Sequence, residues 1–216
     1  MLVVFDLDGT LIDSRRDLAD AANALIAEYG GAPLETDRIA AMVGEGAATL
    51  VRRALTAAGI ERVSSGLVLE RFLALYDERL LAHTRLYDGI DRVLSELGRD
   101  YQLAVLTNKP VGAAHTILAG LGVAGAFQWV LGGDGPHARK PDPAGLQQIA
   151  RHAGVDVGDA VLVGDSGIDL ATARAAGCRI CLAKYGFGFR SDLPLRGDEF
   201  LAETPGDIPG LLQLHR

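Results

Sequence analysis

Leu2-Val3-Val4-Phe5 carries no polar residue on either side of its pleat, and it ends in Asp6-Leu7-Asp8-Gly9-Thr10. A strand that is apolar at every position must be covered on both faces, which a parallel sheet with helices above and below provides. In open parallel sheets, ligands gather outside the carboxyl ends of the strands, so this run delivers Asp6 and Asp8 to the edge where chemistry is done. A solvated turn after an edge strand needs one carboxylate cap, not two set around a leucine.

Four further apolar runs read as strands, at 101–106, 127–131, 160–163 and 179–183. Helical patterns separate them. The segment 111–121 follows Pro110, lines up Ala114, Ile117, Leu118 and Leu121, and stops at Gly122; 143–153 stops at Gly154, and 168–176 at Gly177. Strand and helix in regular alternation predict an α/β fold: right-handed crossovers and an open parallel sheet with helices on both faces.

The alternation breaks between Ser14 and His83. Residues 14–29 place Leu18, Ala22, Leu25 and Tyr29 on one face, and Thr36 caps a short helix holding Ile39 and Val43. Residues 47–58 stop at Gly59, and Ser64 begins a longer helix with Leu67, Phe72, Leu75, Tyr76 and Leu80. The expected division is an α-helical cap at 14–83 inserted into a catalytic core of 1–13 and 84–216. The chain enters the cap through 11–13 and leaves through 84–87, two close connections that make a hinge, so the cap can close over the sheet edge and exclude water.

Composition bounds the function. A chain of 216 residues with 49% hydrophobic content buries roughly 70% of its unfolded surface. A net charge of -7 argues against nucleic acid as a partner, which calls for a clustered basic face. A small phosphorylated metabolite needs only a few local cations. No apolar stretch reaches a membrane span and no basic segment precedes the first strand, so no membrane and a cytoplasmic location are expected. Cys178 and Cys181 belong to a strand pattern rather than a helix start, and read as structural thiols. His83, His115, His137, His152 and His215 show no spacing that suggests a metal or a base, and read as surface residues. Aromatic Tyr185-Gly186-Phe187-Gly188-Phe189 reads as a loop packed beside the site.

Four polar clusters follow predicted strands: Asp6 to Thr10, Thr107-Asn108-Lys109, Arg139-Lys140-Pro141-Asp142, and Gly164-Asp165-Ser166-Gly167-Ile168-Asp169. All should meet at one sheet edge. Asp6, Asp8, Asp165 and Asp169 then crowd four carboxylates into one crevice, which requires a cation, and hard oxygen ligands suit Mg²⁺. Thr107, Asn108 and Lys140 supply the hydroxyl, amide and charge that hold a phosphoryl group. A carboxylate nucleophile among such groups suits phosphoryl transfer through an aspartyl-phosphate.

These four motifs, in this order and spacing, resemble the haloacid dehalogenase superfamily of phosphatases, and the helical insert resembles that superfamily's small helical cap. The resemblance spans 2–188 and implies a Rossmannoid core. It also implies that Asp6 attacks phosphorus while Asp8 protonates the leaving alkoxide and then activates water. By the same resemblance Asp6, the backbone carbonyl of Asp8 and Asp165 bind Mg²⁺, Thr107 and Lys140 hold the phosphoryl oxygens, and Asp169, with Thr10 and Ser166, supports the site from behind. Asp8 favours phosphatase over dehalogenase, which needs no leaving-group acid there.

Within the superfamily, Met42-Val43-Gly44-Glu45-Gly46, Leu106 to Pro110, and Gly132-Gly133-Asp134 look most like phosphoglycolate phosphatases. Arg15, Arg16, Glu45 and Gly46 are then the candidate substrate selectors. Gly167-Ile168 stands where relatives usually carry Arg-Asn, and Asp88 where a proline is common. The only lysines are Lys109, Lys140 and Lys184, so the cap lacks the lysine that a phosphonoacetaldehyde hydrolase needs. A sugar-phosphate mutase, a pyrophosphatase and a non-catalytic scaffold of the same fold remain as alternatives.

Overall fold

The computed structural model describes residues 1–60 and 65–213; the expected helix start at Ser64 and His215 lie outside the described residues. In chain order the elements are β1 Leu2–Phe5, β2 Ile12–Asp13, α1 Arg15–Glu28, α2 Thr36–Ala40, α3 Ala47–Ala57, α4 Ser65–Asp77, β3 Arg85–Leu86, α5 Ile90–Leu97 and β4 Gln102–Leu106. There follow α6 Val111–Gly120, β5 Trp129–Leu131, α7 Ala144–Ala153, β6 Ala160–Gly164, α8 Gly167–Ala176, β7 Arg179–Ala183, β8 Phe200–Ala202 and α9 Ile208–Gln213.

Six strands form one sheet in the order β5-β4-β1-β6-β7-β8, and every pair is parallel. The order explains the uniform apolarity of β1, which lies centrally between β4 and β6 and is fully buried at all four residues. Val3 and Phe5 face the layer built by α5, α6 and α9 through Ile90, Leu94, Ile117 and Ile208. Leu2 and Val4 face the other, built by α7 and α8 through Leu146, Ile149 and Leu170. Each such buried aliphatic side chain contributes roughly 1.5–3 kcal/mol. The five expected strands are all present, though β5 begins at Trp129, because the chain before it makes a short 3₁₀ turn at Ala124–Ala126.

Besides the short β2 and β3, three elements escaped the sequence reading. The edge strand β8 is three residues long and only partly buried. Helix α5 places Ile90, Val93, Leu94 and Leu97 on one buried face, a 3.6-residue period that was present in the sequence. Helix α9 closes the same layer.

The described elements between β2 and β3 are all helices, as expected. Helix α1 packs on α2, α3 and α4, and Phe72 stacks on Tyr76 with ring centroids 6.1 Å apart. The incoming and outgoing connections pair as an antiparallel ribbon, Ile12 opposite Leu86 and Asp13 opposite Arg85. Asp17 Oδ2 accepts from the Thr84 hydroxyl and from the amides of His83 and Thr84 at 2.8–2.9 Å, tying the first turn of α1 to the exit. No described helix is long and apolar enough to cross a membrane.

Cys178 and Cys181 are both unpaired with another thiol, and burial pushes their thiols up to about 11 and 12, so neither is a reactive thiolate near neutrality. His83, His115 and His152 are exposed, whereas His137 is half-buried with Nε2 lacking a partner; His137 departs from the surface expectation.

Candidate active site

Asp6 and Asp8 flank Leu7, whose side chain is fully buried. The Leu7 carbonyl accepts from the amides of Leu11 and Ile12 at 3.0 and 3.1 Å, closing a tight loop. Gly9, at φ +87°, makes that loop possible, and a Cβ there would lie 1.9 Å from Asp165 Oδ2. The four strand-exit clusters meet at one edge, as expected.

The environments of the two carboxylates differ. Asp6 Oδ1 accepts from the Leu7 amide at 2.7 Å and lies 2.9 Å from Lys140 Nζ. Lys140 also donates to Asp169 Oδ1 at 2.6 Å. Asp169 Oδ2 accepts from the Ser166 hydroxyl at 2.6 Å and amide at 3.1 Å, the reciprocal cap of α8. Both oxygens of Asp169 are thus committed, and it holds Lys140 from behind. Asp8 Oδ1 accepts from the Ser14 hydroxyl at 2.5 Å and lies 3.0 Å from Lys109 Nζ, leaving Oδ2 without a protein donor among the described residues. Ser14, which reads as a plain helix cap, makes no cap hydrogen bond and serves Asp8 instead.

Asp165 is enclosed by backbone. The Gly188 amide donates to its Oδ2 at 2.7 Å, and a Cβ on Gly186 would lie 2.3 Å from both Asp165 Cβ and the Gly9 carbonyl. The 185–189 segment packs beside the site, with the Tyr185 hydroxyl donating to the Thr10 carbonyl at 2.9 Å. Thr10 Oγ1 is buried without a partner. We expect Gly186→Ala to lower stability by about 1–3 kcal/mol through overpacking and to weaken metal binding as well. Chemical denaturation and Mg²⁺ titration check this, and an unchanged denaturation midpoint would contradict the close packing.

The residues suit a divalent cation. Carboxylate oxygens of Asp6, Asp165 and Asp169 lie within 4.8 Å of one another in a fully buried cluster. Against four carboxylates the site holds two ammonium groups, Lys109 and Lys140, an imbalance that a doubly charged ion neutralises. Within the cluster of three, with Asp169 committed, Asp6 and Asp165 are the side chains left for it. Burial pushes the Asp6 carboxyl up to about 7 against the opposing pull of Lys140, with Asp169 raising it further. Burial, then Asp169 and Asp6, raise Asp165 well above the usual carboxylate range. A second acidic group, Asp17, Asp20 and His83, is mostly exposed and carries no comparable charge imbalance into the interior.

The raised pKa values make a pH prediction. Folded protein without metal holds these protons more tightly than unfolded chain, so the Asp6 contribution is present below about pH 4 and is lost as pH rises through about 7. Metal binding must displace the same protons. Apparent Mg²⁺ affinity should therefore rise as pH rises through about 7, and Mg²⁺ should raise the thermal midpoint more at about pH 8 than at about pH 5. Calorimetric titration at several pH values checks both; pH-independent affinity would contradict the assignment.

A cavity of about 50 Å³ opens at Asp6 and Asp8 between the sheet edge and the helical insert. Thr107, Asn108, Lys109 and Pro110 line one side; Leu18, Val43, Gly44, Gly46, Ala47, Leu50, Phe72, Leu73 and Tyr76 line the other. Thr107 is buried at the rim with Oγ1 accepting from the Lys109 amide at 3.2 Å. Asn108 is brought to the site, but its side chain is otherwise engaged: Nδ2 donates to the carbonyls of Gly44 and Lys140 at 2.8 and 2.9 Å, and Oδ1 accepts from the Lys140 amide at 2.9 Å. Both ends of the side chain are thus satisfied within the protein. It joins the loop of the helical insert to the backbone of Lys140.

Of the candidate selectors, Gly46 alone lines the cavity. Arg15 turns to Asp13, with Nε at 3.0 Å and Nη2 at 2.9 Å, Arg16 lies 3.9 Å from Asp20, and Glu45 pairs with Arg53. Each of these charges faces a neighbour on the insert or its entry. The cation that does line the cavity, Lys109, belonged to a quoted motif but was given no role.

Comparison with known proteins follows the same lines. The family model of haloacid dehalogenase-like hydrolases matches residues 3–183. The phosphoglycolate phosphatase of Rhodospirillum rubrum is 44% identical over 192 residues, covering 86% of this chain and 80% of that protein. That of Cereibacter sphaeroides strain ATCC 17029 is 39% identical over 217 residues, covering 98% and 97%. The crystal structure of a predicted phosphoglycolate phosphatase from Haemophilus somnus superposes with a TM-score of 0.91 at 28% identity, covering 97% and 96%. With the family match spanning most of its length and the strand-exit carboxylates in place, the chain belongs to the haloacid dehalogenase-like hydrolases.

Proposed function

We propose that the chain is a Mg²⁺-dependent phosphatase of small phosphomonoesters, phosphoglycolate-like in size, working through an aspartyl-phosphate on Asp6. The observation that carries this reading is the pair Asp6 and Asp8, lining one small cavity in unlike settings: one beside Lys140 and two further carboxylates, the other held at a single oxygen by Ser14 and Lys109.

Mg²⁺, held by Asp6, Asp165 and the backbone carbonyl of Asp8, would supply positive charge to the phosphoryl oxygens. Asp6 attacks phosphorus, forming the Asp6 O–P bond as the ester P–O bond breaks. Asp8 gives its Oδ2 proton to the departing alkoxide, while Ser14 and Lys109 fix its other oxygen. Asp8 then takes a proton from water, whose oxygen attacks phosphorus and releases Asp6. The Thr107 hydroxyl and Lys140 ammonium hold the phosphoryl group, and Asp169 orients Lys140. Residues 14–83 act as a cap on the core of 1–13 and 84–216. Its hinge is the β2–β3 ribbon, and the Asn108 amide joins the cap loop to Lys140.

The apolar wall of Leu18, Val43, Leu50, Phe72 and Leu73 offers the hydroxyls of a sugar no partners and so favours short substrates. A panel including phosphoglycolate, pyrophosphate and hexose phosphates, ranked by kcat/KM with and without Mg²⁺, tests the reading. The expected result is Mg²⁺-dependent hydrolysis with phosphoglycolate ahead of the hexose phosphates. Preference for hexose phosphates, or phosphate release from none of them, would contradict it.

A further inference from the structure

Lys109 lies inside the cavity rather than at its mouth, with its side chain 4% exposed. Among the described lining residues it is the sole cation, facing a wall of Leu18, Val43, Leu50, Phe72 and Leu73. An ammonium in such surroundings is costly to desolvate and is retained where it has partners. It has two, Asp8 Oδ1 at 3.0 Å and the Tyr76 hydroxyl at 2.8 Å, with the Tyr76 ring centroid 4.6 Å away. An ammonium carries three protons, so one remains for a ligand. Tyr76 accepts from Lys109, so its own hydroxyl proton is also unclaimed by any described residue.

Two donors from opposite sides of the cavity, one from the sheet edge and one from α4, thus converge near Asp8. Resting on the phosphatase reading above, we propose that Lys109 and Tyr76 together form the receptor for a carboxylate on the substrate, and so select short phosphomonoesters bearing a carboxylate close to the ester oxygen. The pairing spans the core and the helical insert, so an occupied receptor also draws the two together. An uncharged tail of equal length meets the same apolar wall but leaves Lys109 without the added anion.

The test compares phosphoglycolate with ethyl phosphate, which keeps the skeleton and replaces the carboxylate by a methyl group. Wild type should prefer phosphoglycolate. In Lys109→Met the ratio of the two kcat/KM values should fall roughly 10- to 100-fold, the scale of one hydrogen bond to a charged group, chiefly through KM for phosphoglycolate. Lys109→Arg should recover part of the ratio. Tyr76→Phe, which keeps the ring, should lower the ratio several-fold and serves if Lys109→Met does not fold. Equal loss on both esters, with a displaced pH profile, would show that Lys109 acts only through Asp8 and would overturn the proposal while leaving the phosphatase reading standing. Absence of hydrolysis of either ester by wild type would remove both.

Discussion

Asp6→Asn is expected to lower turnover by about 10⁴- to 10⁶-fold, the range seen when a nucleophile or its partner is removed from a covalent mechanism. The replacement keeps the shape of the side chain and its contact with the Leu7 amide. It removes one of three clustered buried carboxylates. The metal-free variant should therefore be no less stable than wild type at about pH 8, because a charge that burial disfavours is gone. Activity lost with the thermal midpoint kept or raised identifies a chemical role. Activity retained within about tenfold would mean that water attacks phosphorus directly and that Asp6 only helps to hold the metal.

Asp8→Ala is expected to lower turnover by about 10²- to 10⁴-fold, the usual contribution of a positioned acid-base group. The loss should depend on the leaving group. An aryl phosphate, whose phenolate leaves without protonation, should lose less in the first step than an alkyl phosphate. The substitution also strands Lys109, whose carboxylate partner disappears, at a cost of about 3–5 kcal/mol for a broken buried pair. Asp8→Asn keeps an acceptor for Ser14 and Lys109 and separates the two effects. Rapid-quench kinetics on both esters with both variants check this, and a fall of no more than about twofold would move the acid-base role elsewhere.

Much of this arrangement was legible in the sequence because the signals were both local and repeated. β1 is apolar throughout since a central parallel strand has no solvent face, and each chemical cluster follows a strand because the sheet brings those ends together. Less was legible where a partner lies far along the chain. Ser14 has the composition of a helix cap, and nothing in its neighbourhood says that its hydroxyl turns back to Asp8. Asn108 follows Thr107 at the strand exit, yet its side-chain amide is satisfied by Gly44, 64 positions away, and by Lys140, 32 away. Arg15 and Glu45 read as isolated charges, and only the fold brings Asp13 and Arg53 against them. Lys109 illustrates the converse: its pairing with Tyr76 joins residues 33 apart, so its place in the cavity emerged only with the fold. Strand β8 was missed because three partly buried residues at an edge have no period to detect.

The central claim is that phosphorus becomes bonded to Asp6 during turnover, and the phosphorylated enzyme can be caught directly. Asp8→Ala, in which water is poorly activated, should accumulate that species when mixed with substrate and Mg²⁺ and quenched in acid, where acyl phosphates survive. Mass spectrometry of the digested protein should then find one added phosphoryl group on the peptide containing Asp6, and none in Asp6→Asn. A phosphoryl group on any other residue, or none in a variant that still turns over substrate, would contradict the account.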